Sequence, residues 1–310
     1  MQIFNGSRPI NYQVWEPEGS PRGLLQLSHG MAEHIRRYDD FARFMASHGW
    51  LVFGNDHIGH GDNAPTPEER GYMPRDGADI LVEDLHLVAT DVKSRYPGVP
   101  HVLLGHSMGS FVARHYLSRY GAELDGAIIM GSAGGGQPTA AGKLLARLTS
   151  ALRGSHHRSP LIDSIAFGSY NKRLGKDAHK FAWLSRDESV VAAYDADELC
   201  GYVFTADAFY VLFDLLGRVS AKSWPATVST DLPLLIVSGE QDPVGNYGKG
   251  VTELYHALCE TGNSGVTLRL YPEDRHEILN ELDRLTVYGD ILGWCEGVIN
   301  TQTEKESNND

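Results

Sequence analysis

The chain has 310 residues, is 42% hydrophobic and 22% charged, and carries a formal net charge of -13. That length suits one large domain or a domain with an insertion. The acidic balance argues against nucleic acid and anionic membrane surfaces as partners of the surface as a whole, though not of a local patch.

The N-terminal MQIFNGSRPINYQ has no basic segment followed by an apolar one, so no signal peptide is expected, and no apolar run reaches transmembrane length. Asn5-Gly6 is a tight-turn signal, with NYQVWEP as a strand beside it. Strands and helices then alternate. Gly23–Leu27 reads as a strand, YDDFARFMASHG as a helix stopped by Gly49, Trp50–Phe53 as a strand, and DILVEDLHLVATDVKSRYPG as an amphipathic helix stopped by Pro97-Gly98. VLLGHS and AIIMGS are further strands, with a helix between them. From about Ala133 to Ala226 no clear strand is found, only helical stretches such as LLARLTSALR and ADAFYVLFDLLGRV. The alternation resumes with LPLLIVSG, the helix GVTELYHALCE, the strand VTLRLY and a last helix from about Ile278 to Val298. The closing TQTEKESNND is polar and without aromatics, the composition of a frayed end. Such alternation predicts an α/β fold, a mostly parallel central sheet with helices on both faces. Residues 1–132 and 227–310 would form the core and 133–226 an inserted helical cap. Phe204, Phe209, Tyr210, Leu212, Phe213, Leu215 and Leu216 make the insertion apolar. They either pack it onto the core or, as Phe209 and Phe213 could, line an acyl-chain pocket; different faces could serve both roles.

In HVLLGHSMGS a serine lies where strand becomes helix, flanked by Gly105 and Gly109. A chain that folds back so sharply brings these two positions into collision, so glycine suits both. The apex residue Ser107 is held in a strained conformation and its side chain is pushed out beside a helix N-terminus. A nucleophilic serine needs a base, and the base an orienting acid. Catalytic groups on a parallel sheet gather beyond the carboxyl ends of its strands. His276, after VTLRLY, and Asp242, after LLIVSG, are both there, in the chain order nucleophile, acid, base. Glu240 competes with Asp242, which lies further along its loop and precedes a proline. The oxyanion needs two main-chain donors, expected at Met108 and at Met31 in the loop His29-Gly30-Met31.

With SHGMAEHIRRY, LVFGNDHIGHGD, LLGHSMGS, SGEQDPV and the terminal histidine loop together, the sequence resembles the monoacylglycerol lipase and lysophospholipase branch of the α/β-hydrolase superfamily, which also contains carboxylesterases and serine aminopeptidase S33-like members. The resemblance covers about residues 28 to 280. It implies a lidded α/β-hydrolase fold, no cofactor or metal, and cleavage of small or single-chain acyl esters through an acyl-enzyme. It implies Ser107, Asp242 and His276 as triad and Met31 and Met108 at the oxyanion hole. Glu33 and Arg37 match positions that shape the polar head-group end, although a local ion pair explains them equally. His57 and His60 match a structural loop. Two departures weigh against glycerol-specific recognition and leave a general carboxylesterase close behind: Asp62-Asn63 replaces a small hydroxyl residue, and Leu279 stands where a second histidine can occur.

Two other classes compete. An aminopeptidase needs an acid for the substrate amine, which Asp195, Asp197 or Glu198 could supply. A non-catalytic receptor on the same fold would not need serine, acid and histidine in order. The expected partner is a small acyl ester, with transient lipid contact through the cap and no nucleic acid. Cys200, Cys259 and Cys295 show no metal spacing, which suits a reducing, cytoplasmic setting.

Overall fold

The Asn5-Gly6 signal closes a hairpin between β1 (Gln2–Asn5) and β2 (Arg8–Trp15), with Gly6 in the left-handed region at φ +60°. The computed structural model describes residues 1–307, with side chains to residue 300; of the end expected to fray, 301–307 continue the last helix and 308–310 lie outside the described residues. β2 pairs antiparallel with β4 (Trp50–Asn55). From there β3 (Gly23–Ser28), β5 (His101–His106), β6 (Gly126–Met130), β7 (Leu234–Gly239) and β8 (Val266–Tyr271) join in parallel. The order across the sheet is β1-β2-β4-β3-β5-β6-β7-β8. Every residue of β3 to β7 is buried, as a strand covered on both faces requires.

Alternate strand residues serve opposite layers. Val102 and Leu104 pack with α1 (Asp39–Ser47) and α9 (Arg284–Ser307), while Leu103 packs with α2 (Gly77–Arg95), α3 (Met108–Tyr120) and residues of α8 (Lys249–Glu260). The last helix begins later than its apolar pattern suggests. Ile278–Asn280 form a single 3₁₀ turn, and Glu281 is extended. Its carboxylate accepts the backbone N–H groups of Arg186 and Arg275, which hold it out of the helix.

Between β6 and β7 the chain adds α4 (Thr139–Arg153), α5 (Pro160–Phe167), α6 (Glu188–Ala196) and α7 (Ala206–Val219). Among the described residues no strand lies in this stretch, only a bridge between Arg158 and Thr205. The stretch enters and leaves at one point. Buried Arg114 of α3 donates to the carbonyls of Ala133 and Val219, and its guanidinium lies 4.3 Å from the Trp224 ring centroid. A guanidinium with no carboxylate partner is costly to bury; its pKa is pushed down to about 9 by that burial.

Candidate active site

Ser107 sits between β5 and α3 at φ +54° and ψ -122°, a strained conformation for a residue with a side chain. The flanking glycines are needed by close approach. A Cβ on Gly105 would lie 2.3 Å from the Gly109 carbonyl oxygen, and one on Gly109 would lie 2.0 Å from the Ser28 carbonyl oxygen. A side chain at position 105 would therefore collide within the turn, as expected, whereas the conflict at position 109 is with the end of β3 and not with Gly105. The turn also seats the start of α3 directly on the end of β3, which leads into the loop carrying Met31.

Asp242 and His276 leave the carboxyl ends of β7 and β8, and both are buried. Asp242 Oδ2 is 2.9 Å from His276 Nδ1, while Oδ1 accepts the Val244 N–H at 2.8 Å. An Nδ1–H donated to the carboxylate leaves Nε2 unprotonated, the form a general base needs. No hydrogen bond joins Ser107 Oγ to His276 here, though both line one cavity; such contacts commonly tighten only with substrate. Glu240 forms no hydrogen bond or ion pair with His276, and its backbone N–H donates to the Tyr271 carbonyl.

Two histidines orient the loop His29-Gly30-Met31. The His57 backbone N–H donates to His29 Nε2, so the ring proton is on Nδ1 and is donated to the Gly30 carbonyl at 2.8 Å. A peptide's carbonyl and N–H point in opposite directions, so anchoring this carbonyl turns the Met31 N–H the other way. Ala32 N–H donates to His60 Nε2 at 3.2 Å. Both rings must be neutral for this, and burial lowers both, His60 to about 4. Met31 and Met108 both line the cavity, and neither amide donates to an acceptor among the described residues.

Glu33 and Arg37 belong to a buried network that ties the loops together. Glu33 Oε1 accepts the Gly30 N–H at 2.5 Å and the Tyr38 hydroxyl at 2.9 Å. Arg37 contacts Glu33 at 2.5 Å and makes a two-pronged bond to Glu277, the neighbour of His276, at 2.7 Å for each prong. Burial alone would raise Glu33, but Arg37, His106 and His29 together outweigh it and hold the carboxyl well below its usual range. His106 links the same parts, with Nδ1 3.0 Å from the Tyr38 oxygen and Nε2 3.3 Å from the His276 carbonyl. Burial lowers His106, but the Glu33 and Glu277 carboxylates and the His276 carbonyl together more than offset this and raise it. Arg37 does not line the cavity, and Glu33 is spent on partners. Of the two explanations for this pair, the geometry is that of the local ion pair.

The cavity beside Ser107 has a volume of about 670 Å³ and is mainly apolar. Phe213 lines it, with Leu212 and Leu216 from the same face of α7. Phe209 does not reach it: the side chain is fully buried in the core with Phe204 and Leu215, its ring 6.3 Å from that of Phe213. Leu279 is buried against α9 on the other side of the sheet. Trp183, in the stretch between α5 and α6, lines the cavity and packs against the His276 ring with centroids 4.9 Å apart. Nothing in the local sequence marks Trp183, because irregular segments carry no periodicity, and the periodicity of the short helix α6 marks Tyr194 only as a buried side chain. Among the described residues two groupings could ligate a cation, His34 with Asp197 and Cys200, and Asp274 with Glu281 and Asp283. Both are engaged internally, the first by the His34–Asp197 pair and the second by Arg186, and neither lines the cavity.

Residues 19–283 match the family Hydrolase_4, serine aminopeptidase S33. The chain belongs to this family. It is 30% identical over 292 residues to the monoacylglycerol lipase of Mycolicibacterium smegmatis, covering 93% of each chain. It is 28% identical to the monoglyceride lipase of Rattus norvegicus, over 91% of this chain and 85% of the other. Among solved structures, a thermostable carboxyl esterase from Bacillus coagulans in complex with glycerol superimposes with a TM-score of 0.90 at 29% identity, covering 96% of this chain and 98% of that one. The fold is the α/β-hydrolase fold, as the motifs led one to expect.

Proposed function

We propose that the protein is a serine ester hydrolase acting on single-chain acyl esters of the monoacylglycerol class. One observation carries the reading: a left-handed Ser107 and an Asp242-bound His276 share the wall of a mainly apolar cavity. Ser107 Oγ attacks the ester carbonyl while His276 Nε2 takes its proton. The amides of Met31 and Met108 receive the oxyanion. The intermediate collapses, the alcohol leaves with the proton from His276, and the acyl group remains on Ser107. Water then repeats the sequence and releases the carboxylic acid. Residues 133–226 form the cap over this site, and the acyl chain lies along the Phe213 face of α7. The names of the relatives support the substrate class. Ser107→Ala should lose on the order of 10⁶ in turnover on monoacylglycerols and p-nitrophenyl esters and keep the wild-type melting temperature. More than a percent of residual activity would sink the nucleophile.

An aminopeptidase fits less well. Asp195 pairs with His179, Asp197 pairs with His34, and neither they nor Glu198 line the cavity. The acids that do are Glu33 and Glu277, both spent on Arg37, and Asp163, whose carboxyl is raised by burial. Aminoacyl-arylamides should therefore be hydrolysed far more slowly than esters of similar size.

The cap also carries our proposal for lipid contact. Leu144, Leu148 and Leu152 of α4 are 57%, 51% and 82% exposed, and Leu161 and Ile165 of α5 are 62% and 64% exposed. Eight lysines and arginines against two acids lie between residues 139 and 180, in a chain of net charge -13. The general acidity thus does not extend to this patch. Flotation with vesicles should recover more protein on anionic than on zwitterionic lipid, and Leu148→Ser with Leu152→Ser should lower recovery on both. Equal recovery on both lipids would refute the electrostatic part.

A further inference from the structure

Ala32 follows the expected oxyanion donor Met31 and lies in the left-handed region at φ +52°. A residue with a Cβ stays there only when its surroundings hold it. Here three hydrogen bonds do so. Its N–H donates to His60, as described above. Its carbonyl accepts the Gly201 N–H at 3.0 Å and the Tyr194 hydroxyl at 2.9 Å. The first partner belongs to the body of the fold. The other two come from the stretch between β6 and β7. Ala32 and Tyr194 are both buried, so water does not readily substitute for either bond.

We propose that the inserted stretch is a working part of the oxyanion hole, and that Tyr194 is the positioning residue through which it acts. This rests on the ester-hydrolase reading. The hydroxyl fixes the Ala32 carbonyl and with it the left-handed turn. The turn holds the preceding peptide, whose carbonyl His29 anchors, with the Met31 N–H facing the cavity. The Tyr194 ring lies over the Arg37 guanidinium, 4.7 Å from centroid to carbon, so the clamp that joins Glu33 to Glu277 also aims the hydroxyl. Burial pushes the phenol well above its ordinary value, and it stays a donor at any working pH. The same stretch reaches the other catalytic loop, since the His276 and Glu277 backbone N–H groups donate to the carbonyls of Trp183 and Leu184 at 3.3 and 2.7 Å.

Tyr194→Phe removes one oxygen and keeps the ring. kcat should fall about tenfold, short of the hundred- to thousandfold loss when an oxyanion donor is removed outright. KM should hardly change, and affinity for a trifluoromethyl ketone, which forms a tetrahedral adduct, should fall in parallel with kcat. The deciding measurement is a double-mutant cycle with Ala32→Gly. Glycine adopts the left-handed region without strain, so in that background loss of the hydroxyl should cost less than about threefold. Rates are referred to active sites titrated with a fluorophosphonate, so that misfolded protein does not enter. A wild-type kcat in Tyr194→Phe, a loss confined to KM, or equal losses in the two backgrounds would overturn the proposal. Wild-type turnover in Ser107→Ala would instead overturn the reading beneath it.

Discussion

At the residue scale the acid is the sharpest choice. Asp242 and Glu240 are two residues apart on one loop, and their charges are equal. Only Asp242 is bonded to His276, and its second oxygen is held by the Val244 N–H. Asp242→Asn should leave the imidazole in the wrong tautomer and lower turnover by roughly 10⁴, with little change in fold. Glu240→Gln should leave turnover near wild type. A mild Asp242→Asn beside a severe Glu240→Gln would reverse the assignment. Proline at 243 marked the turn, but which oxygen meets which nitrogen depends on how β7 and β8 lie side by side.

At the element scale α7 shows how one apolar stripe divides. Phe209 and Phe213 are one helical turn apart, yet the first is fully buried in the core and the second lines the cavity. Phe209→Ala should lower stability by about 3 to 5 kcal/mol and leave acyl-chain preference alone. Phe213→Ala should shift that preference with a smaller change in melting temperature. In the wild type each added methylene should raise kcat/KM about fourfold until the cavity is full, from about 0.8 kcal/mol per buried CH₂. Equal rates from acetyl to decanoyl esters would show that this face of α7 does not hold the chain. The helix pattern announced α7 to the residue, but apolar periodicity cannot distinguish a side chain that meets core from one that meets empty space.

At the scale of the whole molecule, buried neutral histidines govern the response to acid. Burial lowers His57 and His101 to about 3 and His60 to about 4, against 6.5 for an unperturbed ring. The unfolded chain therefore binds more protons than the folded one between these limits. The stability from keeping these rings neutral is complete above about pH 6.5 and is lost as pH falls toward 4, by about 1.4 kcal/mol per pH unit for each ring. Glu33 and Glu277, both held low in the fold with Arg37 beside them, add to the loss below about 4.5. His106 is raised and acts in the opposite sense, its share fading as pH rises past 6.5. His101 tests the account, since neither ring nitrogen has a partner and it lies at the start of β5, away from the cavity. His101→Phe should raise the melting temperature at pH 5 and reduce proton uptake on unfolding by about one. An unchanged slope of stability with pH would contradict it.

The linear order of residues was enough for the sheet, for the extent of most helices and for the elbow at Ser107. Those features follow from periodicity and from steric conflicts between near neighbours, such as Gly105 with Gly109. It was also enough to bring Ser107, Asp242 and His276 forward as candidates, because loops at strand ends converge wherever the strands are parallel. The bond from Arg37 to Glu277, the division of α7 and the bonds from Tyr194 and Gly201 to Ala32 were decided only by the tertiary structure. Each depends on contacts between segments tens to well over a hundred residues apart, and burial then determines which polar groups must find one another. Local pattern carries no record of such distances, and a buried charge or a strained alanine is stable only through the neighbours that folding brings to it.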